Sequence, residues 1–286
     1  MSTNTIACID GSSVSESVCD YAAWSARRLG NAMVLLNVLD DVRTPTDVDF
    51  SGNIGVDTRQ NLLLELAEIE EKRAKLARRQ GLMVLDAAER HIKQKFPDQT
   101  ALTTKQRHGD LVDALLEVED ETRLLVIGKQ GRHGDGVGQH IGHQVERVIR
   151  AVTRPVWVIS GSFKPPKKVM LATDGSATAR KATEMVAESP LFKGLPIAVV
   201  MVGAENNDNM VELEWAKTRL SDAGFEVSAE LLQGDVEDEL LDYADDNGVD
   251  CIVMGAYGHS RIREFFVGSH TNRLLMRCKL PLLLLR

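Results

Sequence analysis

The feature that most constrains this chain is that its sequence repeats itself once. Two apolar runs end in Asp-Gly-Ser, TIACIDGS at Thr5–Ser12 and KVMLATDGS at Lys168–Ser176. Two later runs, LLVIGKQG and CIVMGAYG, end in Gly-x-x-Gly, and from Gly142 and Gly268 onward the copies align without a gap. The repeat predicts two domains of one design, residues 1–163 and 164–286, joined near the exposed linker SGSFKPPKK.

Within each copy, short apolar runs alternate with segments of helical period. In both copies a Gly-Asp pair, at Gly109 and at Gly234, opens an amphipathic segment with an acidic first turn, which suits a helix N-terminus. Nearly continuous apolar strands joined by helices are typical of parallel strands covered on both faces. We therefore expect an α/β, doubly wound fold in each copy.

The first copy carries an additional segment, residues 41–88. Its start reads as a loop, and the rest reads as a long helix or as a helix pair broken near Gly81. A lid or a surface for a partner would fit this segment, but a heavily charged helix is more often simply solvated, and we favour that interpretation.

Composition and charge narrow the function classes. The formal net charge of the 286 residues is −8, which argues against a nucleic-acid or acidic-membrane surface. The four cysteines form no CxxC pair, so we interpret them as small buried hydrophobes of a reducing compartment. Neither a long apolar span nor a signal-peptide pattern is recognisable, and we expect a cytoplasmic protein.

Three glycines in the second copy point to a ligand site. Gly255 and Gly258 follow an apolar strand, and Gly268 with Ser269 opens the next helix. In an open parallel sheet, ligands bind beyond the carboxyl ends of the strands, where glycines permit close approach and a helix N-terminus attracts anions. The alternative, tight turns followed by an N-cap, needs no ligand.

The spacing Gly255-x2-Gly258-x9-Gly268-Ser269 resembles the G-x2-G-x9-G-[S/T] signature of the universal stress protein family, in its ATP-binding subgroup. The resemblance extends over essentially the whole chain in two tandem copies. It implies two flavodoxin-like, Rossmann-like domains, each a five-stranded parallel sheet of order 3-2-1-4-5 with helices on both faces. It also implies ATP or AMP at the carboxyl edge, with Mg²⁺ left open, and a regulatory role in stress response.

The resemblance assigns one set of residues in the second copy to the nucleotide. These are Asp174 and Val202 at the base, Met254, Gly255 and Gly258 at the ribose and phosphate, and Gly268, Ser269 and His270 at the phosphate.

The first copy departs from the pattern and is interpreted as a degenerate site. Gly128-x2-Gly131 is intact, but ten residues separate Gly131 from Gly142, and His143 replaces the Ser or Thr. Asp10 and Val38 stand in the base-side positions. A residual anion site that uses Lys129 and Arg132, or a different anionic ligand, stays open here.

No residue is assigned to catalysis or to a metal. The glycine-rich loops lack the Walker sequence, no GxSxG elbow occurs, and the histidines at 133, 140 and 143 have no recognised zinc partner. A regulatory protein that binds adenine nucleotide and acts on an unknown protein partner is favoured. A slow ATPase or another enzyme on the same fold, and a scaffold that needs no nucleotide, are the alternatives.

The closing strands VWVI, Val156–Ile159, and LLLL, Leu282–Leu285, bear on assembly. An exposed apolar sheet edge favours pairing. The resemblance implies that these two edges meet antiparallel, so that one chain imitates a dimer, and a further homodimer of whole chains stays open.

Overall fold

A computed structural model describes residues 3–39, 56–99, 101–131, 143–256 and 269–286. The first half contains, in chain order, β1 Asn4–Cys8, α1 Ser15–Leu29, β2 Met33–Leu39, α2 Val56–Lys95, β3 Leu102–His108, α3 Leu111–Leu116, β4 Thr122–Gly128, α4 His143–Ala151 and β5 Val156–Ile159. The second half contains β6 Val169–Thr173, α5 Ala177–Glu188, β7 Ile197–Val202, α6 Asn207–Asp222, β8 Val227–Leu232, α7 Val236–Asp246, β9 Cys251–Gly255, α8 Ser269–Arg277 and β10 Leu282–Leu285.

The strands of the described residues form one continuous sheet of ten. Their order is β3-β2-β1-β4-β5-β10-β9-β6-β7-β8, and neighbours are parallel except for β5 and β10, which are antiparallel. Counted separately, each half runs 3-2-1-4-5. The expected α/β class with two tandem domains is confirmed.

Apolar side chains cover both faces of the sheet, as the continuous apolar runs predict. One buried cluster includes Ala7, Trp157 and Val253, and a second, on the opposite face, includes Ile6, Val158 and Ile252. Three of the four cysteines are buried and Cys8 is partly buried, and burial raises the pKa of Cys8 to about 12. The interpretation of the cysteines as small hydrophobes is confirmed.

The Gly-Asp pairs begin helices in both halves, as predicted. Asp110 caps α3 by accepting from the backbone N–H of Val112 at 2.8 Å, and Asp235 caps α7 by accepting from the N–H of Glu237 at 3.2 Å. The preceding glycines have positive φ angles, which places each aspartate for capping.

The two halves meet along β5 and β10. Leu283 stands opposite Trp157, whose side chain is fully buried. The indole of Trp157 contacts rings from both halves: the centroids of Trp24 and Phe192 lie 5.6 Å and 6.0 Å from its own. Burial of large aromatic area makes this junction apolar.

Two cations cross the junction and bind helix ends. Lys129 Nζ, from the first half, donates to the carbonyls of Met276 and Cys278 at the end of α8, at 2.7 Å and 3.0 Å. Arg286, from the second half, donates to the carbonyl of Val152 just after α4, at 2.8 Å. Each half therefore satisfies C-terminal carbonyls of the other half's last helix.

The additional segment of the first half contains one helix, α2, of 40 residues. Of the two alternatives, one long helix or a pair broken near Gly81, the structure has the single helix. A Cβ on Gly81 would overlap the side-chain amides of Asn37 and Gln106, so the glycine lets the helix pass close to β2 and β3. None of the described helices, α2 included, is apolar enough over sufficient length to cross a membrane.

We predict that Gly81→Ala destabilises the protein by about 1–3 kcal/mol through overpacking. Asn37 cannot withdraw freely because it is buried and donates to the carbonyl of Ile9 at 2.8 Å. Urea unfolding measures the change. The control is Ala77→Gly, the reverse substitution at an exposed position of the same helix. Helix propensity alone lowers the free energy of unfolding of this variant by about 1 kcal/mol. A stabilising Gly81→Ala would contradict the close approach.

Candidate nucleotide site

The carboxyl ends of β6, β7 and β9 bring four of the predicted residues to one edge of the sheet. Asp174 directly follows β6, Val202 ends β7, and Met254 and Gly255 end β9. β6 lies between β7 and β9, and Met254 stands in register with Ala172. This is the switch point of the second half, where α/β proteins bind ligands.

A tight turn holds Asp174. Gly175 has φ +71°, and the backbone N–H of Ser176 donates to Asp174 Oδ1 at 2.9 Å. Ser176 then caps α5 by accepting from the N–H of Ala179 at 3.2 Å. The Asp174 side chain is exposed, so its carboxylate can accept further hydrogen bonds.

A second contact fixes this turn from the side of α6. A Cβ on Gly175 would lie 3.0 Å from Cγ of Glu212. Glu212 is bound in turn by Arg180, with Nε donating at 2.7 Å, and the guanidinium lies over the ring of Trp215. The ion pair with Arg180 holds Glu212 in place. The turn at Gly175 can then pack against the aliphatic part of the Glu212 side chain.

Gly255 is favoured by packing whether or not a ligand binds. A Cβ there would lie 3.2 Å from the backbone N of Ala179 and from the carbonyl carbon of Thr178, in the first turn of α5. Gly128 has the same place in the first half, where a Cβ would lie 2.6 Å from Cγ2 of Val14. The first glycine of each Gly-x-x-Gly therefore lets a strand end approach a helix start.

The remaining predicted residues of the second half lie at the start of α8 or outside the described residues. Gly258 and Gly268 belong to the latter group. α8 begins at Ser269 and continues through His270, where the sequence predicts a helix start. The first-turn N–H groups of such a helix are available to an anion.

The first half differs at the position equivalent to Asp174. Asp10 Oδ1 accepts from the N–H of Ser12 at 2.9 Å and from the hydroxyl of Ser15 at 3.2 Å. Gly131 lies so close that a Cβ would be 3.0 Å from Asp10 Oδ2. Val38 lies on β2, Gly142 lies outside the described residues, and α4 begins at His143. The carboxylate of Asp10 is thus more enclosed than that of Asp174.

The proposed role of Lys129 as an anion ligand is wrong. Its ammonium group is bound to the two carbonyls at the end of α8, and burial lowers the pKa of Lys129. Arg132, its proposed companion, lies outside the described residues. The sequence could not indicate this contact, because the partner carbonyls belong to the other half.

Sequence reasoning also missed an ion pair behind the helix that follows the glycine loop. Arg147 of α4 donates to Asp110 Oδ2 at 2.6 Å, and this hydrogen bond is the main reason why the pKa of Asp110 lies below its ordinary value. In the second half, Arg273 of α8 lies 3.9 Å from Glu237, which is almost fully buried. The alignment of Arg147 with Arg273 in the repeat was the available signal.

Sheet order, strand-end turns and helix starts together define a tandem α/β protein with a candidate ligand edge in its second half. Residues 1–160 and 165–286 each match the model of the Universal stress protein family. Universal stress protein Slr1230 of Synechocystis sp. is 34% identical over 287 residues, which cover 99% of this chain and 99% of that protein. The chain belongs to the universal stress protein family.

A solved structure shares the fold over nearly the whole chain. The crystal structure of a universal stress protein from Archaeoglobus fulgidus is 16% identical, covers 99% of this chain and 96% of that one, and has a TM-score of 0.68. A universal stress protein from the same organism, solved in complex with dAMP, is 23% identical and covers 42% of this chain and 97% of that one, with a TM-score of 0.33.

We predict that Asp110→Asn lowers stability at neutral pH by under about 1 kcal/mol, since asparagine keeps the cap but loses the charge that pairs with Arg147. The folded-state pKa of Asp110 is depressed, so its contribution is present above the ordinary value of 3.8 and is lost as pH falls through the folded value. The gap between variant and wild type therefore closes in acid, as measured by urea unfolding across pH. Asp113→Asn, at an exposed position on the same turn, is the control. A difference in the free energy of unfolding between Asp110→Asn and wild type that stays the same at every pH would refute the pairing.

Proposed function

We propose that this protein binds ATP or AMP in its second half and acts as a nucleotide-dependent regulator in stress response. One observation carries the proposal: Asp174, Val202, Met254 and Gly255 converge at the switch point of a half whose motif matches the family signature. The cellular role follows from family membership alone.

The residues present fit an adenine nucleotide. The exposed carboxylate of Asp174 can accept from an N–H donor such as the exocyclic amine of adenine. The partly buried Val202 and Met254 offer apolar surface to the base and ribose. Gly258, Gly268, Ser269 and His270 are assigned to the phosphates, at the N-terminal end of α8. Mg²⁺ would add charge neutralisation at the phosphates.

We further propose one nucleotide per chain. In the first half, Asp10 accepts an additional hydrogen bond from the hydroxyl of Ser15 and lies against Gly131. The loop between Gly131 and Gly142 is one residue longer than the signature, and His143 stands where the signature has Ser or Thr. The first half therefore lacks the G-[S/T] end of the signature at its proper spacing. The first domain, residues 1–163, then serves as the partner of the second, residues 164–286, in a pseudo-dimer within one chain.

Regulation requires that nucleotide bind two conformations with different affinity. The contact of Lys129 with the end of α8 links the helix that would hold the phosphates to the first half. A change at α8 can therefore reach the surface of the first half and a protein partner there. The acidic charge fits a cytoplasmic protein that binds neither nucleic acid nor membranes.

Denaturing freshly purified protein and counting the released nucleotide tests this proposal. We expect about one adenine nucleotide per chain, lost in Gly268→Val and kept in the matched variant Gly142→Val. Asp174→Ala and Asp10→Ala form a second matched pair, at the base side. Absence of nucleotide, together with no thermal shift on adding ATP and magnesium, would overturn the proposal and favour a scaffold. Equal loss in both glycine variants would contradict the single site.

A further inference from the structure

The N-terminal part of α2 projects from the protein. Every residue from 64 to 80 is exposed, whereas the C-terminal part of the same helix packs on the first half. There, buried Asp20 of α1 lies 2.8 Å from His91 Nε2 and 2.7 Å from Lys95 Nζ. The helix is anchored at one end, and its exposed residues 64–80 span about 25 Å at 1.5 Å per residue.

The projecting part carries an apolar seam. Leu66, Ile69 and Leu76, with Met83 just beyond the projecting part, lie on one side of the helix at successive spacings of three, seven and seven residues, and all four are exposed. Leu76 is 66% exposed. Ile69, Leu76 and Met83 repeat every seven residues, as in a helix that packs against another helix, while the intervening seam positions are Arg73 and Gln80.

Charges on the projecting part are segregated along its length. Residues 65–71 contain four glutamates and no basic residue, and residues 72–79 contain five lysines and arginines and no acidic residue. Two ion pairs within the helix, Glu68 with Lys72 and Glu71 with Lys75, lie at the boundary between the two blocks.

We propose that the projecting part of α2 pairs antiparallel with α2 of a second copy of this chain, about a two-fold axis near residues 71 and 72. Antiparallel pairing places the acidic block of one copy over the basic block of the other, whereas parallel pairing would place like charges together. In this register Leu66 faces Leu76 of the second copy, and Glu65 faces Arg79. The contact is separate from the β5–β10 junction and does not depend on nucleotide.

Sedimentation equilibrium of the full chain over a range of concentrations tests the seam. We expect a dimer whose dissociation constant rises roughly a hundredfold in Leu76→Asp, which places charge in an apolar contact twice per dimer. Leu64→Asp is the matched control, since Leu64 is equally exposed but lies on the other side of the helix. Circular dichroism checks that both variants keep their helix content. A monomeric wild type, or a dimer that Leu76→Asp leaves intact, would overturn the proposal.

Charge exchange tests the orientation. Glu65→Arg and Arg79→Glu each turn two attractive pairs into repulsive ones and should weaken self-association about tenfold. Mixing the two variants restores both attractive pairs, so heterodimers should form where neither variant dimerises alone. The double variant should likewise recover wild-type association. Failure of both rescues would rule out the antiparallel register.

Discussion

The pairing of β5 with β10 is the contact on which the rest of the structure depends. Without it, the chain would form two five-stranded sheets, each with an apolar edge strand open to other chains. With this pairing, Trp157 is buried between aromatic rings of both halves. The carbonyls at the end of each half's last helix accept hydrogen bonds from a cationic side chain of the other half. Backbone pairing, aromatic packing and helix capping thus all act at one junction.

The candidate ligand edge of the second half depends indirectly on the β5–β10 junction. β10 lies next to β9, so the position of Gly255 and of the turn at Asp174 is fixed through the strand that contacts the first half. Packing of β9 against the start of α5 makes the space for a side chain at Gly255 tight. The motif glycine therefore has a structural reason that does not depend on a ligand.

Most of the architecture was predictable because it arises from local pattern. Alternating apolar runs and helical segments indicated the parallel sheet, and the Gly-Asp pairs indicated where α3 and α7 begin. Contacts between distant segments were not predictable in this way. Gly81 looked like a helix breaker, since nothing in the sequence shows that Asn37 and Gln106 lie beside it. Lys129 looked like an anion ligand because it stands between the two glycines of Gly128-x2-Gly131, while its carbonyl partners lie almost 150 residues away.

The covalent link between the halves has a consequence for how the sites can evolve. In an assembly of two identical chains, every substitution appears on both sides of the junction. Here Lys129 follows Gly128 in one half and Ala256 follows Gly255 in the other, so the two strand ends are already chemically different. Tethering also keeps the halves at high effective concentration however dilute the protein is. One half can therefore specialise in supporting its neighbour without the assembly being lost.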